Sequence, residues 1–412
     1  MNNKKKLALY GGTPIRKTPF PERFAYDQKE KKIVNQIFNS AIRTGKPIRY
    51  SEKYEKIYLK KFSTFMNGGY CDLVNSGTNA FLCSLAALEI KPGSEIIIPV
   101  VNDPGGVMPV FFLGLIPVPV DISKSSYNTS VDEIKKKISK KTKAVLVCHI
   151  GGEPADIVPI KKFLNLKKIK LIEDCSQSHG AKINNKRVGT FGDISFFSTM
   201  SSKLHSTGGQ GGIIYSKSKQ LINKAKMFAD RGKKFNNGNF TGKYSTLGLN
   251  CNIDEISAAI GCVQLDKLPR IIKQTNKIGN YISKKLNEIK SPSSIEINKN
   301  YFNVFWFLRL KLDLNKINVS KKIYCKALKS EGLNVDEKYI YNPFFHEWYL
   351  NKIYQNFFKK TLLENKIHEK NYSNYNYVHS TNYNIYIREN YSNKDINDIV
   401  NAISKIDSIF KI

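Results

Sequence analysis

An acid, a lysine and a run of glycines follow one another between Ile169 and Gly212. Ile169, Leu171 and Ile172 make a short apolar run that reads as a buried strand, and Glu173 and Asp174 close it at the mouth of a sheet. A second apolar run over 194–197 delivers Ser198. Lys203 comes next, then Gly208, Gly209, Gly211 and Gly212, whose backbone can pass close to whatever the lysine holds. A lysine that can form a Schiff base, an anion facing a ring nitrogen and donors for a phosphate are what pyridoxal phosphate (PLP) needs from a protein. Lys203, Asp174 and their polar neighbours are candidates for all three.

Each residue also has an ordinary reading. A single lysine is usually a solvated surface group, a strand-end aspartate often caps a helix, and a glycine run is often only a loop. The order and spacing carry the chemical reading. Further donors precede a helical pattern over 80–88, where Asn75-Ser76-Gly77-Thr78 collect amides and small hydroxyls at a helix N-terminus. That is a phosphate cradle or a plain N-cap.

The elements that must position these residues alternate. Helical periodicity over 27–41 and 52–65 precedes a strand at 71–74, and further strands are predicted at 95–98, 116–120, 144–148 and 169–172. Helical patterns at 131–138 and 157–164 fall between them. The fold class is therefore α/β, a mostly parallel central sheet sandwiched by helices. Ligands in such sheets bind beyond the carboxyl ends of the strands, which gathers Thr78, Asn102, His149, Asp174 and Ser198 at one edge. A helix over 250–268, capped by Asn250 or Asn252 and ended by Pro269, leads into a second helical stretch over 271–289. Beyond it a strand-like run at 304–312 and helices near 321–331 and 395–406 suggest a smaller C-terminal α+β domain. The expected division is 1–268 for the large domain with an N-terminal arm, and 269–412 for the linker helix and small domain.

A chain of 412 residues can bury a large core. Its 66 basic and 34 acidic residues give a net charge of +32, but the lysines are spread from residue 4 to residue 411, without zinc-finger spacing or an RNA-recognition signature. That distribution makes nucleic acid an unlikely partner and suits phosphorylated, anionic substrates. Seven scattered cysteines without CxxC spacing suggest neither a disulfide framework nor a zinc site. His149, His179 and His205 show no metal spacing either, and stand open between site and structural roles. The apolar run near the N-terminus is too short for a signal peptide, and the stretch over 107–120 is broken by prolines. A soluble, cytoplasmic protein with no membrane contact is expected.

From Asn75 to Leu268, and more weakly at both ends, the chain resembles the DegT-type PLP-dependent sugar aminotransferases of fold type I. The matching pieces are NSGTNA at Asn75, GSEIIIP at Gly93, PADIVPI at Pro154, EDCSQSHGA at Glu173, VGTFGDISFFS at Val188, SKLHSTGGQGG at Ser202 and GLNCNIDEISAAIGCVQL at Gly248. GGTPIRKTPFP at Gly11 is similar to the family's opening. The resemblance implies that Lys203 forms the Schiff base and then shuttles a proton, while Asp174 pairs with the pyridinium nitrogen. It places Gln177 near the ring and its 3′ oxygen. Gly77, Thr78 and Ser198 would hold the phosphate, with Asn250 reaching in from the other subunit of a homodimer with shared active sites.

The implied reaction moves an amino group from glutamate or glutamine to a keto sugar, nucleotide-linked, or to a cyclitol. Sugar deoxygenation on the same scaffold is the alternative, and Lys203 argues against it because such relatives carry histidine there. A PLP-binding regulator without turnover is a second alternative. Where many members carry a stacking aromatic, this chain reads Val101-Asn102-Asp103-Pro104, and Asn250-Cys251-Asn252 stands where many carry Asn-x-Arg.

Overall fold

The computed structural model describes residues 6–23, 26–236, 239–338 and 371–412. The part of the expected small domain that falls at 339–370 lies outside them.

Seven strands form the main sheet: β1 (Tyr70–Val74), β2 (Glu95–Pro99), β3 (Ile116–Val120), β4 (Thr142–Cys148), β5 (Lys170–Asp174), β6 (Ile194–Ser198) and β7 (Gly212–Ser216), in the order β1-β7-β6-β5-β4-β2-β3. Only β7 runs antiparallel to its neighbours. The strands are short apolar runs because helices cover both faces, which leaves no solvent side to demand alternation. Helices α1 (Gln28–Thr44), α2 (Lys53–Phe65), α3 (Gly77–Ala87), α4 (Ile157–Lys167) and α5 (Lys219–Ala229) surround it. This is the expected α/β architecture of fold type I.

The longest helix, α6, runs unbroken from Glu255 to Glu288 and contains Pro269. Its N-cap is Asp254, whose side chain accepts from the Ser257 amide at 2.8 Å. The expected start at Asn250 or Asn252 and the expected end at Pro269 are both corrected. Asp254 offers a carboxylate at the right distance from the first turn, and one proline inside a long, well-packed helix costs less than ending it would. The expected boundary between 268 and 269 therefore falls inside a continuous helix. The helical pattern at 131–138 is also shorter than expected, ending at Lys135.

Beyond α6, a four-stranded antiparallel sheet has the order β10-β11-β13-β12, from β10 (Ser293–Ser294), β11 (Leu308–Leu312), β12 (Val335–Asp336) and β13 (Asn382–Ile385). Helices α7 (Lys321–Ser330), α8 (Ser373–Thr381) and α9 (Asn393–Phe410) accompany it. Leu308, Leu310, Ile399, Ile403 and Phe410 share one apolar core with Ile278 and Ile282 of α6, and Leu7 joins them. The N-terminal arm is bonded to the same body: Arg16 pairs with Asp395 at 2.7 Å and Asp398 at 2.9 Å, and Glu331 accepts the amides of Ala8 and Ile15.

One hairpin stands apart, β8 (Lys233–Asn236) with β9 (Asn239–Tyr244). Every position of β9 is exposed.

Candidate active site

A cleft of about 380 Å³ opens at the carboxyl ends of β4, β5 and β6. Gly77, Thr78, Asn102, His149, Asp174, Gln177, Ser198 and Lys203 all line it, so the sheet edge gathers every residue expected there. Asn250 does not. It is exposed, and its side-chain oxygen accepts from Asn252 at 2.8 Å.

Asp174 is the last residue of β5, and its Oδ1 accepts the Ser176 amide at 2.8 Å, which turns the chain sharply after the strand. Burial raises the pKa of its carboxyl; the Ser176 hydrogen bonds and the Lys203 charge oppose that shift. A carboxylate in this setting gains from a cationic partner. Lys203 lines the same cleft, where burial lowers its pKa against the attraction of Asp174 and Asp103. A lysine so placed carries a larger fraction of neutral, nucleophilic amine.

The floor is built by a close approach. A Cβ on Gly77 would lie 2.7 Å from the Ser198 Cβ, so only glycine lets the start of α3 sit against the end of β6. Ser76 caps α3 by accepting the Asn79 amide at 3.1 Å. The amides of Gly77 and Thr78 are first-turn donors with no intrahelical acceptor. With the hydroxyls of Thr78 and Ser198 they make a compact anion cradle. The Ser198 amide is fixed on Ser176 Oγ at 3.1 Å.

The glycine run behaves differently from expectation. Of that stretch only Gln210 lines the cleft. Gly211 is crowded by Thr199 and Thr207, and Gly212 by the Ser76 carbonyl. These glycines let the strand after Lys203 pack against protein and not against a ligand.

Glu173 faces away from the cleft. Its oxygens accept the amides of Gly189 at 2.6 Å, Phe191 at 2.7 Å and Gly192, and His149 Nε2 at 3.2 Å. His149 Nδ1 accepts the Ala155 amide at 2.9 Å, which puts its ring proton on Nε2. His149, Glu173 and Cys175 lie close enough to share a metal. Four donors already fill the carboxylate, so the trio reads as a network that orients His149. His179 and His205 are fully buried behind Lys203, and Tyr58 meets His205 Nε2 at 2.9 Å.

Two participants had no clear sequence signal. Trp306 lines the cleft with its ring centroid 4.5 Å from Lys203 Nζ. Arg23 donates to the Lys203 carbonyl oxygen at 2.7 Å. Trp306 is one of only two tryptophans, and that rarity was the one available hint.

A lysine and an aspartate lining one cleft, with an anion cradle at a helix start, fit PLP in donor set. Fold and site together define a fold type I PLP enzyme. The profile of the DegT/DnrJ/EryC1/StrS aminotransferase family matches residues 26–404, and the chain belongs to that family. It is a PLP-dependent aminotransferase. A GDP-perosamine synthase of Escherichia coli O157:H7 is 30% identical over 282 residues, 68% of this chain and 74% of that protein. An aminotransferase from Psychrobacter cryohalolentis superposes with a TM-score of 0.83 at 21% identity, covering 95% of this chain and 98% of that one. The E. coli GDP-4-keto-6-deoxy-D-mannose-3-dehydratase, solved with hydrated PLP, superposes at 0.79 with 23% identity, covering 94% and 99%.

Proposed function

We propose that this aminotransferase takes an amino group from glutamate or glutamine and delivers it to the ketone of a nucleotide-linked sugar. The observation that carries the reading is that Lys203 and Asp174 line one cleft, in a chain of net charge +32 that is similar to a GDP-sugar enzyme. The positive field attracts a diphosphate. A keto-cyclitol is the second acceptor class.

PLP, when bound, supplies the electron sink that stabilises the carbanion next to nitrogen. Lys203 Nζ would hold the cofactor at rest, and once freed by the donor's amine it would be the base that removes the proton from the donor's α-carbon and delivers it two atoms along, past the nitrogen. Burial keeps Nζ ready to give up its proton. Asp174 would hold the ring nitrogen's proton through an ionic hydrogen bond, and Gly77, Thr78 and Ser198 would bind the phosphate. Gln177, whose Oε1 accepts the Gly151 amide at 2.7 Å, would serve the ring oxygen.

The reading includes a cytoplasmic homodimer with shared sites. All seven cysteines are free, which suits a reducing compartment, and among the described residues no helix is long and apolar enough to cross a membrane. The β8–β9 hairpin and the segment after it expose Phe240, Tyr244, Leu247 (87% exposed) and Leu249, a run of apolar surface that a second copy would cover. Asn250 lies next to it.

Absorbance tests the reading. Glutamate or glutamine should bleach the visible band of the loaded enzyme, and GDP-4-keto-6-deoxymannose or a keto-cyclitol should restore it. A band indifferent to every amino donor would overturn it. Mixing Lys203→Ala and Asn250→Ala subunits should regenerate some sites with both residues intact; no gain over either parent would exclude the shared site.

A further inference from the structure

The turn after β2 brings a second carboxylate to the cleft. Asp103 lines it with Asp174 and Lys203, and Asp103 is exposed where the other two are half-buried. Asp103 caps the single turn Pro104–Gly106: its Oδ1 accepts the Gly105 amide at 2.8 Å. That turn is pressed against the start of α3, for a Cβ on Gly105 would collide with Thr78 Oγ1 and lie 3.1 Å from Asp103 Oδ1. The carboxylate is thus fixed close to the phosphate donors. A negative charge there opposes phosphate binding, a cost that asparagine, an equally good cap, would avoid.

What the charge does follows from its neighbours. The other titratable side chains lining the cleft are Cys148, His149, Asp174 and Lys203 among the described residues. Burial pushes the Cys148 thiol up, so it stays protonated and neutral. His149 is engaged by Glu173 and the Ala155 amide. Behind Lys203, burial holds His179 and His205 neutral as well. Burial also lowers the Lys203 pKa, and the attractions of Asp174 and Asp103 oppose it. Among the described residues Asp103 forms no ion pair, so its pull on Lys203 acts through space. With Asp174 assigned to the ring nitrogen, Asp103 is the carboxylate left to serve the lysine.

We propose that Asp103 is a positioning residue for the proton on the reactive lysine: its carboxylate holds positive charge at Lys203 Nζ, both on the free amine and on the nitrogen that Lys203 shares with the cofactor. This rests on Lys203 being the residue that bonds PLP. A proton on that nitrogen draws electrons from the carbon that the donor's amine attacks. Asp103 therefore keeps the enzyme receptive to donors at a higher pH than burial alone would allow.

The test is a pH titration of the visible band in resting, PLP-loaded enzyme, for wild type, Asp103→Asn and Asp103→Ser. Both variants keep a capping oxygen and lose the charge. The midpoint at which the shared nitrogen loses its proton should fall by about 1 pH unit in each, the low end for a nearby opposite charge because Asp103 is exposed. High salt should narrow the gap to wild type. The midpoint for PLP capture by the cofactor-free enzyme should move the same way. Unchanged midpoints overturn the proposal and leave Asp103 a cap. So does a shift seen in only one of the two variants, which would trace it to the new side chain and not to the lost charge. A loss of donor or acceptor turnover at an unchanged midpoint would make Asp103 a substrate contact and equally overturn it. A borohydride-reducible band in Lys203→Ala would remove the lysine from the bond, and the proposal with it.

Discussion

Arg23 Nη1 donates to the main-chain carbonyl of Lys203 at 2.7 Å, and Arg23 Nε pairs with Glu389 at 3.1 Å. One guanidinium from the N-terminal arm thus ties the loop of the reactive lysine to the segment between β13 and α9. Both side chains are about nine-tenths buried. Removing the arginine leaves a buried carboxylate without its partner. Arg23→Ala should lower stability by about 3 kcal/mol in urea unfolding and slow the donor half-reaction. Arg23→Met with Glu389→Leu should regain stability while the donor step stays slow. Equal recovery of both would show that the arginine serves stability alone.

Gly77→Ala tests the cradle. The added Cβ meets the Ser198 Cβ at 2.7 Å, and neither atom sits at the end of a flexible chain. PLP affinity, read from the visible band on titration, should drop by about 10-fold or more, roughly the loss of one or two phosphate hydrogen bonds. Ser198→Gly added to this variant removes the colliding atom, and part of the affinity should return.

Capture of PLP by the cofactor-free enzyme should speed up as pH rises. Lys203 attacks only as the neutral amine, and burial lowers its pKa from the ordinary 10.5. The midpoint of the rate profile therefore falls below that value. Lys203→Ala should show no such rise and no lysine-bonded band. A midpoint at or above 10.5 would mean that Asp174 and Asp103 outweigh burial.

His205 sets an acid limit. Its folded-state pKa is lowered to about 4 by burial, a shift the Gly261 carbonyl only partly opposes. The unfolded chain takes up the proton below about 6.5, whereas the folded protein refuses it until about 4, so stability falls as pH drops through that window. The contribution at stake is about 3 kcal/mol. His205→Gln should flatten the dependence of Tm between pH 6.5 and 4, leaving the slope from His179, which burial also holds neutral. An identical profile in the variant would remove His205 from this account.

Six strands of the main sheet and their edge were legible because most are short apolar runs ended by a polar residue, whereas β7 (Gly212–Ser216) was read only as the end of a glycine run. Asp174, Ser198 and Thr78 needed no tertiary knowledge to be placed at one rim. The start of α6 was misplaced because Asn250, Asn252 and Asp254 all satisfy capping rules, and only packing chooses among them. The glycine run was read toward the ligand, although Gly211 and Gly212 answer to Thr199, Thr207 and Ser76. Trp306 reaches the cleft, and Arg23 the lysine loop, from segments about 100 and 180 residues away from Lys203. Local periodicity carries no information about contacts of that span.

The arm from Arg16 to Tyr26 has a practical bearing on how this enzyme is produced. Arg16 grips α9, Arg23 the lysine loop, and the Tyr26 hydroxyl donates to the Gly208 carbonyl at 2.9 Å. Trimming the first two dozen residues to aid expression or crystallisation would leave both sheets with all their strands, yet cut the lysine loop's mooring. Such a preparation would lose stability together with activity, so its inactivity would say nothing about the cleft, and affinity tags and fusion partners belong at the other end of the chain.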